Sequence, residues 1–143
     1  MKKTLYSGLF LLQFTILFGL SGCKTPANIN VDTDNASVYN NWPQVQFEGC
    51  RILLATEPQL AHQGFAIASY RDFDNTIIIF PNISEGTKFI NHNQGYGAVK
   101  RDLKIVFFDS EMNILKEDIM TKEDGFSVAP PKTSFAIEGL PAK

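Results

Sequence analysis

From residue 42 onward, apolar side chains alternate with polar ones in short runs broken by turn residues, the pattern of a chain that pairs strands and buries one face of each. Val45 and Phe47 alternate with Gln44, Gln46 and Glu48, Gly49 offers a turn, and Ile52 and Leu54 resume the alternation. This spacing predicts a hairpin. Thr56 and Gln59 match a capping box, Pro58 suits a first helical turn and Gly64 supplies a left-handed stop, so a short helix is expected between them. Ile77-Ile78-Ile79-Phe80, closed by Pro81, is a continuous run of β-branched and aromatic residues and reads as a central strand buried on both faces. Residues 87–91, 103–108, 114–120 and 133–137 supply four further strands, bounded by Gly86, a turn over residues 109–113 and Pro130-Pro131. The expected fold is mainly β, an antiparallel β-sandwich or barrel of about seven short strands with one short helix.

The beginning of the chain follows a different pattern. Lys2 and Lys3 precede an apolar stretch over residues 5–20, interrupted by Ser7, Gly8, Gln13, Thr15 and Gly19. A spanning helix needs roughly 20 predominantly apolar residues, and this shorter, broken run has the layout of a secretory signal. Leu20-Ser21-Gly22-Cys23 is similar to the bacterial lipobox, a resemblance that implies cleavage before Cys23 and lipid attachment to its sulfur. Two or more acyl chains would hold the protein stably at a membrane, at about 0.8 kcal/mol per buried methylene. The chain thus divides into a lipoprotein signal peptide (1–22), a lipidated flexible linker (23–41) and a β domain (42–143). The linker is rich in Asn, Asp, Thr and Ala; it cannot bury enough surface to fold alone and would span roughly 20–25 Å as a coil. Lys24, rather than an aspartate, follows the lipidated cysteine. By resemblance to the sorting rule for such proteins, the expected location is the cell envelope, at the outer membrane facing the periplasm where the cell has two membranes.

Charge and chemistry narrow the function classes. Of 13 basic and 15 acidic residues, Lys2 and Lys3 leave with the signal, so the mature chain is mildly acidic. It lacks the basic stripe of a nucleic-acid binder, and no nucleic-acid partner is expected. With Cys23 assigned to lipid, no internal disulfide is expected, and Cys50 reads as a small buried hydrophobe in the alternating residues 50–54. His62 and His92 have no Cys, Asp or Glu neighbours at metal-ligand spacing. The acidic stretch Arg71-Asp72-Phe73-Asp74-Asn75 does not fit a calcium loop and reads as a solvated turn. No catalytic residue, metal site or cofactor is assigned.

The order of segments resembles the domain-of-unknown-function family DUF192. Ala55-Thr56-Glu57-Pro58 with Gly64 are similar to that family's helix signature, and residues 77–81 to its strand ending in Phe-Pro. Phe89-Ile90-Asn91-His92-Asn93-Gln94 resembles the start of its long motif and Leu103-Lys104-Ile105-Val106-Phe107-Phe108-Asp109 the end of it, while residues 129–138 match a proline-bounded closing strand. The likeness covers residues 44–140 and rests mostly on framework hydrophobes. Ala61 and Ala68 stand where the family has Arg, Ile90-Asn91 where it has Trp-Met, and Asp102-Leu103-Lys104 where it has Pro-Leu-Asp. Of the motif's polar positions only Asn93 and Asp109 carry over. The resemblance implies an architecture and brings no assigned reaction with it.

Two function classes follow. The favoured one is a membrane-anchored binding or envelope-associated module for a small-molecule, glycan or protein ligand. In it Tyr96, between Gly95 and Gly97, stacks on the ligand, Lys100 and Arg101 meet an anion, and Asn93 contributes from the adjoining motif. The alternative is a small envelope enzyme acting on glycan or cell-wall substrates through Asp72, Asp74 or Asp109.

Overall fold

A computed structural model describes residues 37–93 and 95–142. The segment expected to be a signal peptide, the expected lipidation position Cys23 and positions 24–36 of the expected linker lie outside the described residues. The fold is mainly β, as the alternation predicts. Its strands are β1 (Gln44–Phe47), β2 (Cys50–Leu54), β3 (Thr76–Pro81), β4 (Lys88–Ile90), β5 (His92–Asn93), β6 (Gly97–Ala98), β7 (Leu103–Phe108), β8 (Ile114–Met120), β9 (Phe126–Val128) and β10 (Phe135–Gly139). Two short helices, α1 (Pro58–Gln63) and α2 (Tyr70–Phe73), fall between β2 and β3.

Six strands form one open sheet in the order β1-β2-β3-β10-β7-β8, and β4-β9 and β5-β6 form two-stranded ribbons. The pairing differs from an all-antiparallel sheet at one place: β2 and β3 run parallel, with Leu53 opposite Ile78. The helical segment between these strands is the crossover that a parallel pair requires. β3 is central, and the last strand, β10, is inserted between it and β7.

Period-two alternation sorts the central strands into two apolar faces. Leu53, Ile78, Phe80, Leu103, Ile105, Phe107 and Ala136 join the larger core with Tyr39, Phe65 and Phe73, while Ile77, Val106, Phe108 and Ile137 form a smaller cluster. Phe89 of β4 bridges the layers, lying edge-on to Phe80 at 5.0 Å and to Phe107 at 5.7 Å between centroids. Each such pair adds about 0.5–1.5 kcal/mol beyond the area it buries.

Three local details differ from expectation. The Thr56–Gln59 capping box does not form; Glu57 is the N-cap of α1 and makes no side-chain cap bond. A capping box is found instead at α2, where Ser69 and Asp72 cap each other, inside the stretch that reads as a solvated turn. The five residues 37–41, read as the end of the linker, pack on the body: Tyr39 is fully buried and its hydroxyl donates to the Gly64 carbonyl at 2.8 Å. Arg51 holds this segment down, donating to Ser37 Oγ at 2.8 Å, to Thr76 Oγ1 at 3.2 Å and to Asp72 Oδ1 at 3.2 Å.

Gly125 joins β8 to β9, donating its N–H to the Thr121 carbonyl at 3.0 Å and accepting from the Asn91 N–H at 2.8 Å. A Cβ built there would collide with the Thr121 main chain, which cannot yield as a flexible side chain can. Gly125→Ala is therefore expected to lower the unfolding free energy by about 2 kcal/mol, the cost of forced overpacking. Urea denaturation checks this, with the Gly86→Ala variant, whose added Cβ meets nothing within 4 Å, reporting the effect of backbone conformation alone.

Candidate functional site

The loop that carries the sequence-predicted binding residues is tied into the fold. Asn93 donates through Nδ2 to the His62 carbonyl at 3.1 Å and accepts the Gly95 N–H at Oδ1, 2.8 Å. Tyr96 is half-buried against the larger core, with its ring 6.3 Å from that of His62. Lys100 Nζ donates to the Ala68 carbonyl at 3.1 Å, and Arg101 pairs with Asp74 at 3.6 Å. Their polar atoms thus meet protein partners in separate places, and of the four only Asn93 lines the cavity described below.

The candidate carboxylates are likewise engaged in local structure. Burial pushes the Asp72 carboxyl up, but hydrogen bonds from Ser37, Ser69 and Arg51 outweigh it and hold the group below the ordinary value of 3.8. Asp109 is also held low, chiefly by the side chain and N–H of Asn113, as the anchor of the β7–β8 turn. No group of three or more metal-ligating side chains occurs among the described residues. Cys50 is buried, as expected.

A cavity of about 380 Å³ lies between α1, the loop after it, and β4, with Phe80 of β3 and Glu138 of β10 also lining it. Its volume falls in the range of small-molecule sites. Glu138 was not singled out from the sequence. The strand register places it opposite Ile78 on β3 and Ile105 on β7, both fully buried, on the face it shares with Ala136. The Glu138 residue is only 5% exposed, and burial alone pushes its pKa from 4.5 up to about 8, with no charge or hydrogen bond among the described residues offsetting it. At neutral pH it is a carboxylic acid, a hydrogen-bond donor.

Gln63, the last residue of α1, also lines the cavity, and its side-chain nitrogen is buried with no hydrogen-bond partner. Leaving such a donor unmet costs about 1–3 kcal/mol. Gly64 follows at φ +47° and ψ −131°, a conformation that a Cβ disfavours. It brings the chain close over the acid: a Cβ there would lie 3.7 Å from Glu138 Oε2 and 3.9 Å from Phe80 Cζ. Asn91, also lining the cavity, is satisfied, donating to the carbonyls of Met120 at 3.2 Å and Thr121 at 2.7 Å. One sequence signal could have marked the site: Glu138 is a charged residue on the inward register of an otherwise apolar strand.

No helix among the described residues is long and apolar enough to cross a membrane. No family model, curated protein or solved structure matches the chain.

Glu138 makes stability fall with pH over a defined window. The unfolded chain releases this proton near the ordinary value of 4.5, whereas the folded chain holds it to about 8. Between these values the folded state binds more protons, so the unfolding free energy decreases as pH rises. Glu138→Gln removes the effect and is expected to gain on the order of 3 kcal/mol over the parent at pH 7, with the two converging near pH 4.5. Asp72 acts in the opposite sense and in a lower window, because its contribution is present above the ordinary value and lost as pH falls through its depressed pKa. Parallel denaturant titrations from pH 4.5 to 8 check the expectation; identical pH profiles for parent and variant would remove Glu138 as the cause.

Proposed function

We propose that this chain is a membrane-anchored lipoprotein of the cell envelope whose β domain binds a small molecule in the cavity beneath α1. The observation that carries the binding half is the coincidence, in one apolar cavity, of the Glu138 carboxyl, which burial drives neutral, and the buried Gln63 side-chain nitrogen, which has no hydrogen-bond partner. Both are costly to stability, and perturbed groups without structural partners concentrate at functional sites. The anchoring half is supported by the lipobox-like Leu20-Ser21-Gly22-Cys23 behind a signal-like leader. The resemblance to DUF192 is compatible with a mainly β body and adds no activity.

Anchoring is tested by chemistry at one sulfur. Cys23 and Cys50 are the two cysteines of the sequence, and a sulfur cannot carry a thioether and a disulfide together. Mass spectrometry of protein isolated from the envelope is expected to find a diacylglyceryl adduct on an N-terminal Cys23, and Cys23→Ser is expected to leave the membrane fraction. A peptide in which Cys23 and Cys50 are disulfide-linked would overturn the anchor.

Binding is tested with N-phenyl-1-naphthylamine, a neutral apolar probe that fluoresces on leaving water. One probe per chain is expected to bind. Ala61 is exposed on α1 and lines the cavity, so Ala61→Trp is expected to weaken probe binding about ten-fold by filling space at its wall while leaving the melting temperature near that of the parent. Undiminished binding by this variant would move the site elsewhere.

A further inference from the structure

Resting on that reading of the cavity, we infer that its ligand is an uncharged, largely apolar molecule presenting a carbonyl-type acceptor oxygen to Gln63 and Glu138. The amide of Asn93 is committed to the His62 carbonyl and the Gly95 N–H, and the amide nitrogen of Asn91 to two carbonyls of the β8–β9 turn. Among the described residues, the one fully buried side-chain atom without a hydrogen-bond partner is the Gln63 nitrogen, which can only donate, and beside it in the cavity stands the buried Glu138 carboxyl, which no hydrogen bond or opposite charge stabilises as an anion.

Geometry argues that the carboxyl is a donor as well. It projects from the middle of a sheet between two isoleucines, and Phe80 lies close to it beneath Gly64. The cationic side chain lining the cavity, Lys88, is exposed and has its ammonium group 4.8 Å from the centroid of Phe126 on the neighbouring β9. His62 is exposed on α1. Neither is found to stabilise a carboxylate at Glu138, whose raised pKa reflects burial alone.

Two unmet donors in an apolar chamber select by the cost of leaving them unmet. A ligand carbonyl relieves that cost. A hydrocarbon of the same shape leaves it in place. An ammonium group would confront the Gln63 donor and require Glu138 to ionise in apolar surroundings. A carboxylate would bring its own charge into a cavity where burial already drives Glu138 neutral. The phenyl rings of Phe65, Phe80 and Phe89, with Val99 and Ile83, offer the apolar body its contacts.

The experiment compares four probes with a common phenylalkyl body: 4-phenyl-2-butanone, butylbenzene, 4-phenyl-2-butylamine and 3-phenylpropanoate. Each competes with N-phenyl-1-naphthylamine on the full mature chain at pH 6, where Glu138 holds its proton. The ketone is expected to bind about ten-fold more tightly than butylbenzene, with the amine and the carboxylate weaker than either. Glu138→Gln keeps a neutral donor and is expected to keep the ketone preference. Gln63→Leu and Glu138→Leu, which remove one donor each without opening a hole, are each expected to reduce it. Equal binding of ketone and hydrocarbon would overturn the head-group assignment while leaving the cavity as the site. Tightest binding by the amine would overturn it in favour of a cationic ligand. Failure of all four to displace a bound probe would overturn it too, and failure of the probe itself to bind would sink the cavity reading with it.

Discussion

Insertion of β10 between β3 and β7 is the constraint on which the rest of the structure depends. The strand formed last in sequence is the one that joins the two halves of the main sheet, so β1-β2-β3 on one side and β7-β8 on the other share no ladder until residues 135–139 arrive. Its five residues pair with β3 and β7 at once, from Phe135 opposite Pro81 and Phe108 to Gly139 opposite Ile77 and Lys104. Contacts of such large sequence separation require loop closure before they repay it. The same insertion carries Glu138 to the sheet centre, because on a strand paired on both sides every inward position is covered by neighbours on either side as well as by the layer above.

Much of this was legible in the residues, and the reasons differ by element. The apolar runs at 77–80 and 103–108 announce strands because β-branched and aromatic side chains on both faces suit a strand with a partner on each side. The open sheet, rather than a barrel, and the parallel β2-β3 pair were not legible, since periodicity reports which face is buried and is silent on which strand lies next to which. The misplaced capping box shows how local and tertiary signals compete. Thr56-x-x-Gln59 and Ser69-x-x-Asp72 have similar spacing, but Asp72 is further tied down by Arg51 and Ser37 while Gln59 is exposed.

The site was less legible than the fold. By residue type, Tyr96, Lys100 and Arg101 read as a binding set, an aromatic with two cations on a glycine-containing loop. In the structure they brace that loop against α1, the turn at Ala68 and the Asp74 corner, so their chemistry is spent on position. The residues left with unspent chemistry, Gln63 and Glu138, stand in contexts that invite no notice: one ends a short helix and the other lies within an otherwise apolar strand. A sequence reveals residue types but not which hydrogen-bonding groups remain unmet after folding, and that remainder distinguishes this cavity.

Glu138 could be replaced, on stability grounds, by almost any neutral side chain of similar size. An apolar residue there would extend the row formed by Ile78 and Ile105, and a glutamine would keep a polar tip without the proton-linked cost. A carboxylic acid differs from the apolar residue in offering a hydroxyl donor beside a carbonyl acceptor on one planar group, and from the amide in donating through a hydroxyl, whose hydrogen bonds are shorter than those of an N–H. Gly64 adds to the case, because its conformation lets the main chain pass close to the acid where any side chain would begin to fill the space. Tyr39 bears on the same corner from the other side: its hydroxyl is committed to the Gly64 carbonyl, and burial together with the charge of Asp72 keeps it protonated. The polar groups around the acid are thus arranged to hold the chain over it and not to neutralise it, which leaves the carboxyl to whatever enters the cavity.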